Sequence, residues 1–389
     1  MNVGLVLAKT PAYSETFFIS KIKGLKQSGI HVTLFVQSKE AGFSLCPVRV
    51  APKLHRRNIL RQLWVFMVVL LKLLVHYGRF RHFIRLEQQA GRSVIQGLKN
   101  AYNNVHILTS DLDWLHFGFA TMALQSEHVA KAIGAKMAVS FRGFDLDVYP
   151  LKKTGCYDLV WQHVNKVHSI SLYLLDKAHK IGLTKAIPSS IISPAIESDL
   201  IDSNCLKTNW SKPIQFITVG RLHWIKGYQA TLEALSILNE MGIDFRYRII
   251  GEGPEQEALM FGIHQLGLTH RAHLIGKLSH KDTLEAMSQS DVYIQYSYSE
   301  GFCNAVLEAQ ALGLFCIVSD GGGLMENVLD KQTGWVVPKG QPKLLAKKLL
   351  EVINLPEKEK LIILESAKNR IREEYLLDAQ IKAFKAFYE

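Results

Sequence analysis

The sequence predicts an α/β protein made of two Rossmann-like, doubly wound domains facing a cleft, and three observations lead there. Continuous apolar runs of strand length alternate with helical stretches, the pattern of parallel strands covered on both faces. The alternation fades between Ser189 and Pro213, in SSIISPAIESDLIDSNCLKTNWSKP, and then restarts cleanly. A chain of 389 residues, 48% hydrophobic and 21% charged, holds enough material for two ordinary cores.

The elements follow in order. NVGLVLA is a first buried strand, and with no basic residue before it the run does not read as a signal peptide. FFISKIKGLKQSG puts Phe18, Ile22 and Leu25 on one helical face and ends at Gly29; HVTLFV follows as a strand. Ala51 to Gly97 interrupts as a basic helical insertion. VHILTS and KMAVSF then read as strands separated by the helical stretch FATMALQSEHVAKAIG. Ser14, before the first helix and beside Glu15, reads as an N-cap. After the weak stretch, IQFITVG, FRYRIIG, AHLIG, DVYIQYS, FCIVS and GWVV read as strands with helices between them. The domains are therefore placed at 1–198 and 210–371, with the final helix, about 372–389, assigned to pack back on the first domain.

Five cysteines at 46, 156, 205, 303 and 316 are odd in number and scattered, which argues for a reducing, cytoplasmic compartment and against a disulfide frame or zinc site. The net charge of +11 is concentrated: Ala51 to Lys99 holds ten Lys/Arg and one acid, Glu87. No aromatic-and-basic recognition module appears, so no nucleic-acid partner is expected.

Open α/β sheets bind ligands beyond the carboxyl ends of their strands, and three loops of the second half lie there. GRLHWIKG, Gly220 to Gly227, sets Arg221 and Lys226 beside a helix start, where free N–H groups and the dipole favour an anion. GEGP begins at Gly251, where a tight turn is the plainer reading. In YSEGFCNAVLEAQALG, Glu300 stands at the mouth and Gly301 allows close backbone approach. Phe302, Cys303 and Asn304 offer N–H groups at a helix start, and Glu308 lies about one turn further in. Together these suit a diphosphate carrying a polyhydroxyl group at each end, with each carboxylate accepting sugar hydroxyls. Each acid alone also reads as an ordinary helix acid. No GxGxxG follows the first strand, which argues against a dehydrogenase.

These residues carry a resemblance. From about Phe216 to Pro338 the chain resembles the retaining GT-B glycosyltransferases of group 1, or GT4. Their two glutamates separated by seven residues stand here as EGFCNAVLE; VGRLHWIKG, IIGEGPEQEAL and SDGGGLMENV match the neighbouring loops. The first half resembles bacterial polysaccharide and lipopolysaccharide members through SETFFISKIKGLKQSGIHVTLF and LHFGFATMAL, which puts His116 at the acceptor-side position. FRGFDLD resembles "THGxD" with Arg142 for the histidine, and SPAIESDL resembles "PNGVD" with Ala195 and Glu197 replacing glycine and aspartate.

The resemblance implies a nucleotide-diphosphate sugar donor and a lipid-linked or envelope glycan acceptor. It implies that Arg221 and Lys226 stabilise the departing diphosphate, that Glu308 binds the ribose and that Glu300 contacts the donor sugar. No metal or other cofactor is then expected. The DLD pairs at Asp111–Asp113 and Asp145–Asp147 could hold a cation, but they fall outside the phosphate loops. His116, after the apolar DWL, also reads as a packed core residue. A nucleotide-binding partner without transfer activity is the alternative, opposed by the intact Arg221, Lys226, Glu300 and Glu308.

LWVFMVVLLKLLV, Leu63 to Val75, is too short to span a bilayer. With Arg57, Arg61, Lys72, His76 and Arg79 near one stripe it reads as an interfacial anchor for an anionic membrane surface, or as a buried helix with charged ends. The first reading places the protein at the inner face of the cell membrane.

Overall fold

The structure is a computed structural model that describes residues 1–11, 16–40, 42–55, 57–202, 206–210 and 212–389. Contacts divide it into two compact units. The first comprises Met1–Ile170, Leu174–Ile192 and Ile381–Glu389, and the second Ser171–Tyr173 and Ser193–Gln380. The first unit thus closes at Ile192 rather than 198, and the second extends to Gln380 rather than 371. Ser14, Glu15 and Cys205 lie outside the described residues.

The first unit holds seven strands: β1 (Asn2–Lys9), β2 (His31–Ser38), β3 (Val48–Val50), β4 (Trp114–Phe117), β5 (Lys136–Phe141), β6 (Lys166–Ser169) and β7 (Ser189–Ile191). They form one parallel sheet in the order β3-β2-β1-β4-β5-β6-β7, with Leu5 opposite His116 and His116 opposite Ala138. Phe18, Ile22 and Leu25 of the helix Thr16–Gln27 are buried against it, as their common face requires.

Two sequence expectations change here. VHILTS is not a strand: Val105–Leu108 finishes the helix Val94–Leu108, where Ala101, Val105 and Leu108 continue an i, i+4, i+7 buried stripe. The strand is β4, only four residues long and fully buried. FATMALQSEHVAKAIG is likewise two short pieces, a 3₁₀ turn at Ala120–Ala123 and a helix at Val129–Ile133.

The basic insertion forms the helices Ile59–Val75, Tyr77–Gln89 and Val94–Leu108. Its one acid, Glu87, is buried and bonded to Arg92 at 2.7 Å, His128 at 2.5 Å and Asn100 at 2.5 Å.

The second unit holds β8 (Ile214–Val219), β9 (Phe245–Ile250), β10 (Ala272–Gly276), β11 (Val292–Gln295), β12 (Phe315–Ser319) and β13 (Trp335–Val337). Each of the six apolar runs is a strand, in one parallel sheet ordered β10-β9-β8-β11-β12-β13. Burial on both faces explains why β8, β11 and β12 carry apolar residues on both. Phe216, Val292, Ile294, Phe315 and Ile317 face one core, while Ile217, Tyr293, Cys316 and Val318 face the other. From β8 the chain winds outward through β9 to β10, and β11 returns to the opposite side of β8. The carboxyl ends of β8 and β11 therefore flank the topological switch point of this sheet.

Candidate active site

The loops after β8 and β11 meet at that switch point. The first runs through a short 3₁₀ turn, Trp224–Lys226, into the helix Tyr228–Glu240. Gly227 has φ +65°, and a Cβ there would lie 2.0 Å from the Tyr296 carbonyl oxygen. Only glycine lets this loop press against the end of β11. The Tyr298 N–H donates to the Ile225 carbonyl at 2.7 Å, tying the loops further. Gly251 does the same for the β9 loop: its φ is +147°, and a Cβ would sit 2.0 Å from the Gly220 carbonyl oxygen.

Lys226 and Glu300 pair across the switch point, Nζ to Oε1 at 2.5 Å, with side chains 16% and 13% exposed. Burial pulls the Lys226 ammonium down, but the Glu300 charge outweighs it and holds the group above its ordinary value. Behind Glu300 stands a hydrogen-bonded line that follows the strand's period of two. Tyr293 Oη donates to Gln295 Oε1 (2.8 Å), Gln295 Nε2 to Ser297 Oγ (2.8 Å), and Ser297 Oγ to Glu300 Oε1 (2.8 Å). Gln295 and Ser297 are fully buried. A polar Gln inside the apolar run DVYIQYS was the visible sign of this line. Arg221 is exposed beside Lys226 and makes no hydrogen bond or ion pair with the described residues.

Glu308, in the helix Asn304–Ala311, accepts from His280 Nε2 at 2.9 Å. That hydrogen bond and the carboxylate charge raise the His280 imidazole above its ordinary value, against the effect of burial. His280 opens the helix His280–Ser288 after the Ser279 cap, and nothing in the sequence distinguishes it among fifteen histidines.

Other expectations are corrected. Cys303 is a core residue: its N–H donates to Asn327 Oδ1 (2.9 Å) and its carbonyl accepts from Asn327 Nδ2 (3.0 Å). Burial pushes its thiol up to about 12. Phe302 is buried with its ring 5.8 Å from that of Tyr375, and Gly301 is buried with its carbonyl against Gly323. Of that stretch Asn304 is the exposed residue.

His116 is fully buried in the first sheet. Its Nδ1 bonds Tyr388 Oη at 2.6 Å and its Nε2 bonds Ser140 Oγ at 2.7 Å, while Ser140 also meets His168 Nδ1 at 2.7 Å. Lys21 Nζ lies 3.4 Å from His116 Nδ1, itself only 3% exposed. The packed-core reading of His116 therefore holds over the catalytic one, because an enclosed ring with both nitrogens bonded touches no ligand. Tyr388 belongs to the C-terminal segment, whose backbone oxygen also accepts from Trp114 Nε1 at 2.8 Å.

Both DLD pairs are committed to protein partners. Asp111 pairs with Arg79, and Asp113 accepts from the Asn2 N–H at 2.6 Å. Buried Asp145 accepts from the Thr121 N–H and hydroxyl and from the Arg142 N–H, and Asp147 pairs with Lys177.

Comparisons with known proteins agree with this geometry. Residues 206–376 match the family described as Glycosyl transferases group 1. Over 387 residues, 90% of both chains, the protein is 22% identical to the amylovoran biosynthesis glycosyltransferase AmsK of Erwinia amylovora. Two solved structures share the fold across almost the whole chain. HepE from Anabaena, in complex with UDP and glucose, has a TM-score of 0.71 at 15% identity, covering 99% of this chain and 98% of its own. The lipopolysaccharide outer core galactosyltransferase WaaB, in its apo form, has a TM-score of 0.69 at 16% identity, covering 100% and 99%. The second parallel sheet and its charged switch point thus lie in the part of the chain, residues 206–376, that matches the group 1 glycosyl transferases.

Proposed function

We propose that the protein is a retaining glycosyltransferase that moves a sugar from a nucleotide-diphosphate sugar to a lipid-linked or cell-envelope glycan, in the cytoplasm at an anionic membrane face. The observation that carries this is the buried Lys226–Glu300 pair at the switch point, with Arg221, exposed and unpaired among the described residues, beside it. Transfer builds negative charge on the departing diphosphate, and cations already fixed there act where that charge develops. Lys226 is preorganised by Glu300, and Arg221 has all its donors available. Glu308 presents a half-buried carboxylate oriented by His280, suited to a ribose diol. Glu300, held through Oε1 by Lys226 and Ser297, is placed to accept from the donor sugar's hydroxyls. A relative named for amylovoran biosynthesis and a fold neighbour solved with UDP and glucose support this donor and acceptor class. Since the protein itself supplies the cations, the reaction is expected to need no metal.

The test is a thermal-shift panel of UDP, GDP, ADP and CDP sugars, followed by transfer assays with the stabilising donor. Activity that survives EDTA, with product keeping the donor's anomeric configuration, is the expected result. An inverted product, or activity lost in EDTA and restored by Mg²⁺ or Mn²⁺, overturns the retaining, metal-independent reading.

A further inference from the structure

The helix Ile59–Val75 turns most of its apolar residues outward. Leu60 is 82% exposed, Trp64 62%, and Leu63, Met67, Leu70, Leu71 and Leu74 lie between 45% and 59%. Only Val69 and Leu73 are buried. At about 100° per residue the exposed side chains cover roughly half the circumference, and Val69 and Leu73 form a narrow seam against the protein on the other half. Arg61 and Lys72 stand three turns apart on one line at the margin between the two. Soluble surfaces rarely carry so continuous an apolar face without an occupant.

The margin also holds a pocket. A cavity of about 550 Å³ is lined by Arg49, Lys72, His76, Leu71, Val75 and His106 among others. It shares Val50, Lys72 and His106 with an apolar groove of about 210 Å³ along Trp64, Val65, Val68 and Val69. His106 Nδ1 is buried in this region with no hydrogen-bond partner among the described residues. The nearby carboxylate, Asp111, is already paired with Arg79. No Asp or Glu occurs between Ala51 and Leu86. A cationic pocket opening into an apolar groove fits one chemistry, an anionic phospholipid, with its phosphate on Arg49, Lys72 and His76 and an acyl chain along the groove.

We propose that the helix Ile59–Val75 lies in the plane of an anionic phospholipid bilayer, apolar face down, and that the Arg49–Lys72–His76 pocket beside it clamps a lipid phosphate. This rests on the membrane-facing part of the proposed function and locates it. Seventeen residues extend about 25 Å, short of the ~30 Å hydrocarbon core, and the chain bends by 99° into the next helix. Among the described residues no single helix is long and apolar enough to cross a membrane. An in-plane helix with a basic margin is the geometry of interfacial binding.

The experiment uses the full chain and three variants: Leu63→Gln/Leu70→Gln/Leu74→Gln, Arg49→Gln/Lys72→Gln, and both sets together. All of these residues are exposed, though Arg49 also donates to the Thr109 carbonyl at 3.2 Å and to Ser110 Oγ at 2.7 Å, so folding of each variant is checked by its melting transition and by unchanged nucleotide affinity. Wild type should float with phosphatidylglycerol vesicles at low salt, less at high salt, and little with phosphatidylcholine. The apolar triple should lose flotation on both lipids. The Arg49/Lys72 double should lose affinity for anionic vesicles by roughly 25-fold, at about fivefold per charge, and keep its residual binding to neutral lipid. Millimolar inorganic phosphate should not compete, since a bilayer lipid and not free phosphate is the ligand.

Wild type that ignores anionic vesicles overturns the proposal, as does a wild-type dimer that the apolar triple converts to monomer, which would mean a second copy covers the face. Full competition by inorganic phosphate, or an Arg49/Lys72 double that binds like wild type, overturns the headgroup pocket. Donor binding measured alongside separates failure here from failure of the glycosyltransferase reading, because these residues lie in the other unit from Lys226 and Glu300.

Discussion

Lys226→Ala should damage stability and catalysis through the same atom. In the folded protein the Lys226–Glu300 pair is 84–87% sequestered, at 2.5 Å. Removing one partner of a buried pair costs about 3–5 kcal/mol, mostly because the other charge is left unpaired. Glu300 keeps the Ser297 hydroxyl at 2.8 Å, so the low end, about 3 kcal/mol, applies here. For a unit of this size that is a fall in Tm of about 6–12 °C. Replacing both, Lys226→Met/Glu300→Gln, removes the stranded charge and should recover most of the loss.

The pH dependence has a definite sign. The Lys226 value is raised in the folded state, so its contribution is complete below the unfolded value and is lost only as pH climbs through the folded one. The wild-type-minus-variant difference should therefore be flat across neutral pH. In transfer assays the lost charge-assisted contact to the diphosphate, about 1.5–3 kcal/mol, corresponds to a roughly 10- to 150-fold drop in kcat/KM. Calorimetry of wild type, Lys226→Ala and the double variant decides it. A single variant that melts within a degree of wild type, or a double variant no more stable than Lys226→Ala, would refute the argument that the pair ties the two loops.

Four further outcomes follow from particular residues. Arg221→Ala should lower kcat/KM to a similar degree yet leave Tm unchanged, since Arg221 is exposed and unpaired among the described residues; a drop of several degrees would show a structural partner. Glu308→Ala should weaken nucleoside diphosphate binding and return the His280 imidazole from its raised value toward ~6.5, followed by NMR titration; wild-type nucleotide affinity in that variant would remove the ribose assignment. His116→Gln should cost about 1–3 kcal/mol through unsatisfied Tyr388 and Ser140 groups while leaving donor affinity intact. The His116 and His168 imidazoles are held well below their ordinary values, first by burial and then by Lys21, so the unfolded chain binds more protons as pH falls. Wild-type stability should thus drop from about pH 6.5 downward, and a flat acid limb in calorimetry would contradict this.

The second unit was almost fully legible in the sequence, because what defines it is local. Parallel strands buried on both faces leave uninterrupted apolar runs, and glycines that must take positive φ or let backbones meet, such as Gly227 and Gly251, stand at the loop corners. The cations and carboxylates at strand ends could be named for the same reason. Partners distant in sequence decided the rest. VHIL carries an apolar signal that suits strand and helix alike, and burial of Ala101, Val105 and Leu108 along one helical stripe settled it as helix. Cys303 looked available at a helix start until Asn327, twenty-four residues on, took its N–H. His116 looked like a ligand group until the last turn of the chain, 272 residues away, closed over it with Tyr388. His280 gained its carboxylate only when two helices converged. The apolar face of Ile59–Val75 was visible as composition, but that it points outward is a fact of tertiary packing. Periodicity and turn chemistry are written along the chain, whereas burial and pairing arise from which surfaces meet, and the roles of His116, Cys303 and His280 rest on burial and pairing.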